Sequence, residues 1–475
     1  MNLRVLVMLA GGAGAVWAFR RWRAAVQISI LLMIFEGAIR KWVFPGAQDL
    51  VYFAKDVLLL GAYLGFFRDR HRLRLWLPAL PALYGLLAAA ALFGLLEVFN
   101  PALPNLLVGI FGFKAYFFYV PLLFVVPAAF SGDAAVYHFL RRYALVAIPV
   151  GLLAVAQFFS PASSALNTYA RSGEDAYVAT FGSSTYVRVT STFSFITGFT
   201  TYLLATAILI LSLVGAGRWR FRGHLLMFGA LGMTLLGMLM SGSRAPVLFL
   251  VLLFPLYWWL AVIRERGGGA AFGRLLVALS LLGLALFSTA TGQKAVDAFL
   301  GRAAGVEDVS GRVSSPLLSP YLLLPQVGLL GFGIGSTHQT AATLAPELVP
   351  YSWLHGLSVE VESGRVMLEL GPIGFALVYF IRFYFAIYAF RQVLVLRTRF
   401  HRALATASLL FFLTAIPGGA VFDVTSDLYY WFFAGLLMLA IRLDRETVRK
   451  AARAAAPPRP AAPEPLPEPA LPGVR

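Results

Sequence analysis

Two histidines and a run of acids and arginines stand close together late in this chain. His338 and His355 lie in a stretch from 291 to 374, followed by Glu360, Glu362, Arg365 and Glu369 in SVEVESGRVMLELGPIG (Ser358 to Gly374). Histidine and carboxylate side chains take and give protons near neutral pH, so this grouping is suited to acid–base chemistry, with a cation beside it. The same stretch holds GLLGFGIGSTH (Gly328 to His338). Its GFGIGS resembles a dinucleotide-binding loop, but no alternating strands and helices surround it, and it is read as a flexible turn. There is no Walker lysine loop, HExxH or DxD. ATP hydrolysis, zinc proteolysis and a metal-held nucleotide sugar therefore lack sequence support. The absence of cysteine removes disulfides, thiolate metal sites and a cysteine nucleophile. No metal site and no cofactor are expected.

The elements that must position these residues are apolar. Of the 475 residues, 59% are hydrophobic and 13% charged, and the mean hydropathy is +0.77. Apolar runs recur from end to end, which predicts an all-α, polytopic transmembrane helical bundle. Spans are expected near 3–19, 24–39, 50–67, 75–98, 107–130, 143–159, 193–214, 224–241, 246–263, 274–290, 366–388, 403–422 and 428–441. A span needs roughly 20 apolar residues, so the total is about 12–13. The opening MNLRVLVMLAGGAGAVWAF resembles a signal peptide and is read as the first span. Four parts follow: an N-terminal transmembrane bundle (1–290), a large external loop (291–365), C-terminal transmembrane helices (366–441) and a Pro- and Ala-rich disordered tail (442–475).

Charge supplies the orientation. The net +17 could suggest nucleic acid on a soluble protein, but here it collects in alternate loops, and no nucleic-acid partner is expected. Clusters such as Arg20, Arg21 and Arg23, then Arg68, Arg70, Arg72 and Arg74, then Arg218, Arg220 and Arg222, and finally Arg442, Arg445, Arg449 and Lys450 mark the cytoplasmic side. The 291–365 loop then faces outward and the C-terminus inward. His71, His138, His224 and His401 fall in cytoplasmic loops and are expected to be solvated.

Basic residues on the outer side become informative against that background: Arg40, Lys41, Arg171, Arg188, Arg244, Lys294, Arg302, Arg312 and Arg365. A guanidinium at a membrane cavity can grip phosphate or pyrophosphate with paired donors. Each could equally snorkel to headgroups or pair with a local acid. Arg244 stands out because it sits in a tight SGSRAP turn where Pro246 starts the next helix. Within the early spans, Glu36 and Arg40 share one helix face and can neutralise each other, and Lys55 and Asp56 interrupt the next. Such pairs brace helices more often than they conduct protons, although they could also wall a polar cavity.

The chain resembles the bacterial O-antigen ligase and O-antigen polymerase superfamily. RVTSTFSFITGF (Arg188 to Phe199), SGSRAP (Ser241 to Pro246), GLLGFGIGST (Gly328 to Thr337) and LELGPIGF (Leu368 to Phe375) carry the resemblance, in the family's order. It implies a GT-C-like glycosyltransferase of the bacterial inner membrane, acting on its periplasmic face. The donor would be a glycan on undecaprenyl pyrophosphate. The acceptor would be another lipid-linked glycan for a polymerase, or lipid A core for a ligase. Membrane lipids surround such an enzyme, and a chain-length regulator is a further partner to consider. Carried over, Arg188 and Arg244 would bind the pyrophosphate, and a loop base would take the acceptor proton with inversion at the sugar, without a metal. One departure concerns that base. The family's His–Asn pair, nine residues before the closing Glu, falls here on Glu360 and Val361. Glu360 is slightly favoured as base, with His355 the alternative, His338 and Glu362 further candidates, and polymerase favoured over ligase. A transporter or flippase of lipid-linked saccharides, or a structural scaffold, would share the spans. A transporter would not need the long insertion and should show related halves.

Overall fold

In lipid every backbone polar group must find its partner within the segment, so apolar runs wind into helices. A computed structural model of the chain describes residues 3–71, 77–170, 178–182, 185–216, 221–263, 268–304, 309–338, 341–344 and 361–455. Among these the protein is helical throughout, without strands, and with one isolated antiparallel bridge between Thr180 and Val187. Six helices are long and apolar enough to cross a membrane: Trp22–Val43, Pro45–Asp69, Asp133–Phe159, Ile196–Gly215, Glu362–Val395 and Val424–Ala454. A seventh crossing is formed if Leu106–Phe117 and Leu122–Ala129, bent by 43° at their break, count as one. Pro121 stands at that break and cannot donate to the helix ladder. Five further apolar helices (Leu3–Arg20, Pro81–Glu97, Phe221–Ser241, Arg244–Ile263 and Gly268–Ser288) coincide with expected spans.

Burial separates the interior from the rim. The apolar window of Val424–Ala454 is 94% buried and that of Ile196–Gly215 is 83%, against 33% for Glu362–Val395. The first two are therefore interior helices, and the third keeps an apolar face outside. Between helices in lipid there is little hydrophobic drive, so packing, hydrogen bonds and ion pairs hold the bundle.

Within the 291–365 segment the described residues form the helices Ala290–Ala304 and Val309–Leu323. One expectation is corrected. His401 is not solvated but fully buried. Its Nε2 lies 2.9 Å from Asp133 Oδ1 and its Nδ1 3.1 Å from Asp444 Oδ1. The imidazole thus ties three helices (Asp133–Leu145, Arg399–Ala415 and Val424–Ala455) at one end of the bundle, and the basic loop sequence around it gave no sign of the two acids. His71 is exposed, His138 is exposed on the Asp133–Leu145 helix rather than in a loop, and the side chain of His224 lies outside the described residues.

Candidate functional site

The segment preceding the Ile196–Gly215 helix is held by unusual means. Ser191 has φ 48°, a left-handed backbone that a non-glycine residue adopts only where its surroundings enforce it. Here Gln157 Oε1 accepts from Ser191 N at 2.7 Å, and Ser191 Oγ donates to Val150 O at 2.7 Å. Lys41 Nζ then donates to Thr190 Oγ1 (3.1 Å), Ser191 O (2.6 Å) and Phe193 O (2.9 Å). An ammonium has three protons, and these contacts use all of them. Lys41 is therefore a positioning residue for this segment rather than the ligand-binding cation expected from the sequence. Arg40 is placed similarly, donating from Nη1 to Ser194 Oγ at 3.0 Å. Gly37 permits the approach, since a Cβ there would lie 2.3 Å from Ser194 N.

This braced segment presents Arg188 to the Ser241–Arg244 turn. Arg188 N donates to Ala179 O and Val189 N to Met240 O, at 2.8 and 3.2 Å. Arg188 Nε donates to Ser241 O at 3.0 Å, Arg302 Nε to Gly242 O at 3.1 Å, and Arg244 Nη2 to Arg302 O at 2.5 Å. Gly242 turns the chain in the left-handed region at φ +64°. Three guanidinium groups thus gather around one turn. Burial, and then the positive charges of Arg302 and Arg244, hold the Arg188 guanidinium below its usual pKa, with Tyr169 opposing them. Among the described residues neither Arg188 nor Arg244 has a carboxylate partner. Two neighbouring guanidinium groups, Arg188 and Arg244, that lack acid partners among the described residues favour an anion beside them.

The second polar centre forms where the two glycine motifs meet. Gly331, Gly333 and Gly335 have φ of +70°, +94° and +90°, and Gly371, at the break in Glu362–Val395, has φ +59°. Phe332 N donates to Leu368 O at 2.8 Å. A Cβ on Gly331 would stand 2.5 Å from Gly371 N, so the two backbones touch only because both residues are glycine. The turn then delivers Thr337 to Glu369: Thr337 N and Oγ1 donate to Glu369 Oε1 at 2.9 and 2.6 Å. Arg365 donates from Nε to Thr337 Oγ1 (3.1 Å) and from Nη2 to Thr337 O (2.6 Å), with its guanidinium 3.7 Å from the centroid of the Phe422 ring. Arg365 therefore locks this turn. His338 follows directly, its N donating to Gly335 O at 2.9 Å. Burial first, then Arg365 and Lys114, lower the His338 pKa from 6.5 to about 4. A neutral imidazole at physiological pH is a proton acceptor in waiting.

Glu362, a candidate base from the sequence, has its carboxylate engaged by protein groups. It is buried, ion-paired with Arg382, and accepts from Ala420 N (2.8 and 3.0 Å), Val421 N (2.9 Å) and Phe422 N (3.2 Å). Its oxygens are occupied in fixing the turn that carries Phe422 beneath Arg365. Replacing Glu362 with alanine should leave Arg382 buried without its partner, at a cost of roughly 3–5 kcal/mol. The expected result is a lower melting temperature of the detergent-purified protein, partly restored by adding Arg382→Met. Full stability with lost activity would instead restore Glu362 to the catalytic candidates. His355, Glu360 and the side chain of Arg312 lie outside the described residues.

A chain of charges runs from the segment braced by Lys41 to Lys114, whose positive charge acts on His338. From Ser194 it passes to Arg40, then to Glu36 Oε1 at 3.6 Å; Glu36 Oε2 meets Lys55 Nζ at 2.7 Å, Lys55 lies 3.9 Å from Asp56 Oδ1, and Asp56 Oδ2 meets Lys114 Nζ at 2.6 Å. Tyr119 adds a 2.6 Å hydrogen bond to Asp56. The Glu36–Arg40 pairing expected from their spacing is present, but the stronger contacts run between helices. The sequence placed Arg302 among the outer-side basic residues without a role of its own, and it did not single out Lys114 or Thr337. Lys114 had a signal, as a lone charge inside the apolar LLVGIFGFKAYFFYV.

No family model matches the chain, and no curated protein matches it either.

Proposed function

We propose that the protein is a membrane glycosyltransferase that polymerises glycan repeat units carried on undecaprenyl pyrophosphate, at the non-cytoplasmic face of a bacterial inner membrane. The observation that carries this reading is the gathering of Arg188, Arg244 and Arg302 around the Ser241–Arg244 turn, with no carboxylate partner on the first two among the described residues. A pyrophosphate is a dianionic to trianionic group that such an array complements, and it develops further charge as it leaves. The resemblance of four ordered segments to the O-antigen ligase and polymerase superfamily supplies the reaction class. Two of those segments, GLLGFGIGST and LELGPIGF, lie in direct backbone contact.

In this reading the acceptor sugar's hydroxyl oxygen attacks the anomeric carbon of the donor glycan from the face opposite the pyrophosphate. The bond from that carbon to the pyrophosphate oxygen breaks, and the electron pair stays with the leaving group beside Arg188 and Arg244. The hydroxyl proton passes to a base, and His338 is the described candidate whose protonation state suits the task. The products are a lengthened lipid-linked glycan, inverted at the new linkage, and undecaprenyl pyrophosphate. The positive-inside pattern supports an outer-side location for both centres. The five further apolar helices and Arg399–Ala415 would also cross, giving about 12–13 spans in a GT-C-like arrangement.

Purified protein in vesicles, given a synthetic lipid-pyrophosphate repeat unit, should convert it into a ladder of longer glycans. Transfer onto lipid A core alone would make it a ligase. Movement of the substrate across the vesicle with no new glycosidic bond would make it a transporter and overturn the proposal.

A further inference from the structure

The helix Val309–Leu323 and the turn after it carry an apolar face that is exposed among the described residues. Leu317 is 78% exposed, Tyr321 73% and Leu329 68%, with Leu318, Leu322 and Leu330 also exposed. The opposite face is packed: Leu323 and Val327 bury against Met367 and Leu368 of the Glu362–Val395 helix, with Phe332 and Phe375 alongside. The sequence has no Asp, Glu, Lys or Arg from Val313 to Pro346. A helix on a water-exposed loop would ordinarily turn charged residues outward, and this one turns leucines outward.

Its neighbour indicates what covers that face. Beyond Gly371 the Glu362–Val395 helix exposes Ile373, Phe380, Phe383 and Ile387, the outward stripe of a helix long and apolar enough to cross a membrane. Leu329 O sits where a Cβ on Gly371 would come within 2.4 Å, two residues before Ile373. The leucine face and the stripe are therefore one continuous apolar surface. A helix apolar on both its packed and its outward faces, beside the end of a crossing helix and with a tyrosine turned outward, matches a segment set in lipid near the membrane surface rather than in water.

We propose that the Val309–Leu323 helix and the Leu329–Leu330 turn are embedded among the acyl chains of one bilayer leaflet. The embedded segment leads within a few residues, through Gly331 and Gly335, to Thr337 and His338, so lipid contact fixes the height of that centre at the membrane surface. This inference does not depend on which reaction the site performs.

The absence of cysteine from the chain allows a direct test. Leu317→Cys and Tyr321→Cys, each labelled with an environment-sensitive fluorophore, are reconstituted in phosphatidylcholine–phosphatidylglycerol vesicles. Phe380→Cys serves as the lipid-facing control and Arg449→Cys as the aqueous one, each checked for monodisperse elution. Nitroxide on the upper acyl chain should quench both test sites as it quenches Phe380→Cys, with a nitroxide-to-iodide quenching ratio several-fold above that of Arg449→Cys. Iodide quenching equal to the aqueous control would place the helix in water and overturn the proposal. So would the absence of nitroxide quenching combined with cysteine cross-linking between copies, which would assign the face to a second copy of the chain.

Discussion

Replacing Arg244 with alanine should leave a protein that inserts and accumulates normally but lengthens glycan roughly 10²–10³-fold more slowly, and Arg188→Ala should do the same. The physical reason is charge development on the leaving pyrophosphate. Arg244 reaches Arg302 O and Arg188 reaches Ser241 O, so each is oriented by a backbone carbonyl while the remainder of its fork is not engaged by an acid. Loss of either removes an electrostatic contact that strengthens as the glycosidic bond breaks, and the deficit should therefore fall mainly on kcat. Arg→Lys at either position keeps the charge but loses the planar fork, and should recover only part of the rate. The check is the glycan ladder from purified variants, with melting temperature measured alongside. Wild-type ladders from both alanine variants would remove the arginine cluster from the mechanism.

His338→Gln should slow the reaction by roughly 10²–10⁴-fold if its imidazole takes the acceptor proton. The pH profile gives a sharper test. A base works in its unprotonated form, and burial with Arg365 and Lys114 nearby holds the His338 pKa near about 4. Activity limited by this group should stay level from neutral pH downward and fall only as pH drops through about 4. Lys114→Met removes one of the depressing charges and should move that acid limb to higher pH, a change that a merely structural histidine would not produce. Stability carries the same sign: the unfolded chain binds a proton at His338 near 6.5 and the folded chain does not, so stability falls as pH drops from about 6.5 toward about 4. Full activity in His338→Gln, with loss in Glu360→Gln or His355→Ala, would transfer the role of base to the loop.

Much of the frame was legible because hydrophobic runs are local. The long apolar helices fall at positions marked by composition alone, and SGSRAP does form a turn with Gly242 in the left-handed region. The site was only half legible. Arg188 and Arg244 could be singled out by type and by their places at span ends, but their convergence, and the third guanidinium from a helix near 300, depended on tertiary contacts. Glu362 and Lys41 illustrate the limit. Each has the side chain that chemistry would require, and each is consumed by backbone partners that no spacing rule names.

Sequence by itself determined the solvent this chain must live in and the absence of thiol chemistry, since both follow from residue types summed over the whole chain. It also placed glycines where the backbone needs left-handed turns at 331, 333, 335 and 371. Only the tertiary structure decided which charges meet. An ion pair forms between groups a few ångströms apart, whatever their separation along the chain, so Glu36 pairs with Lys55 across helices, His401 sits between Asp133 and Asp444, and Thr337 joins Glu369 to Arg365.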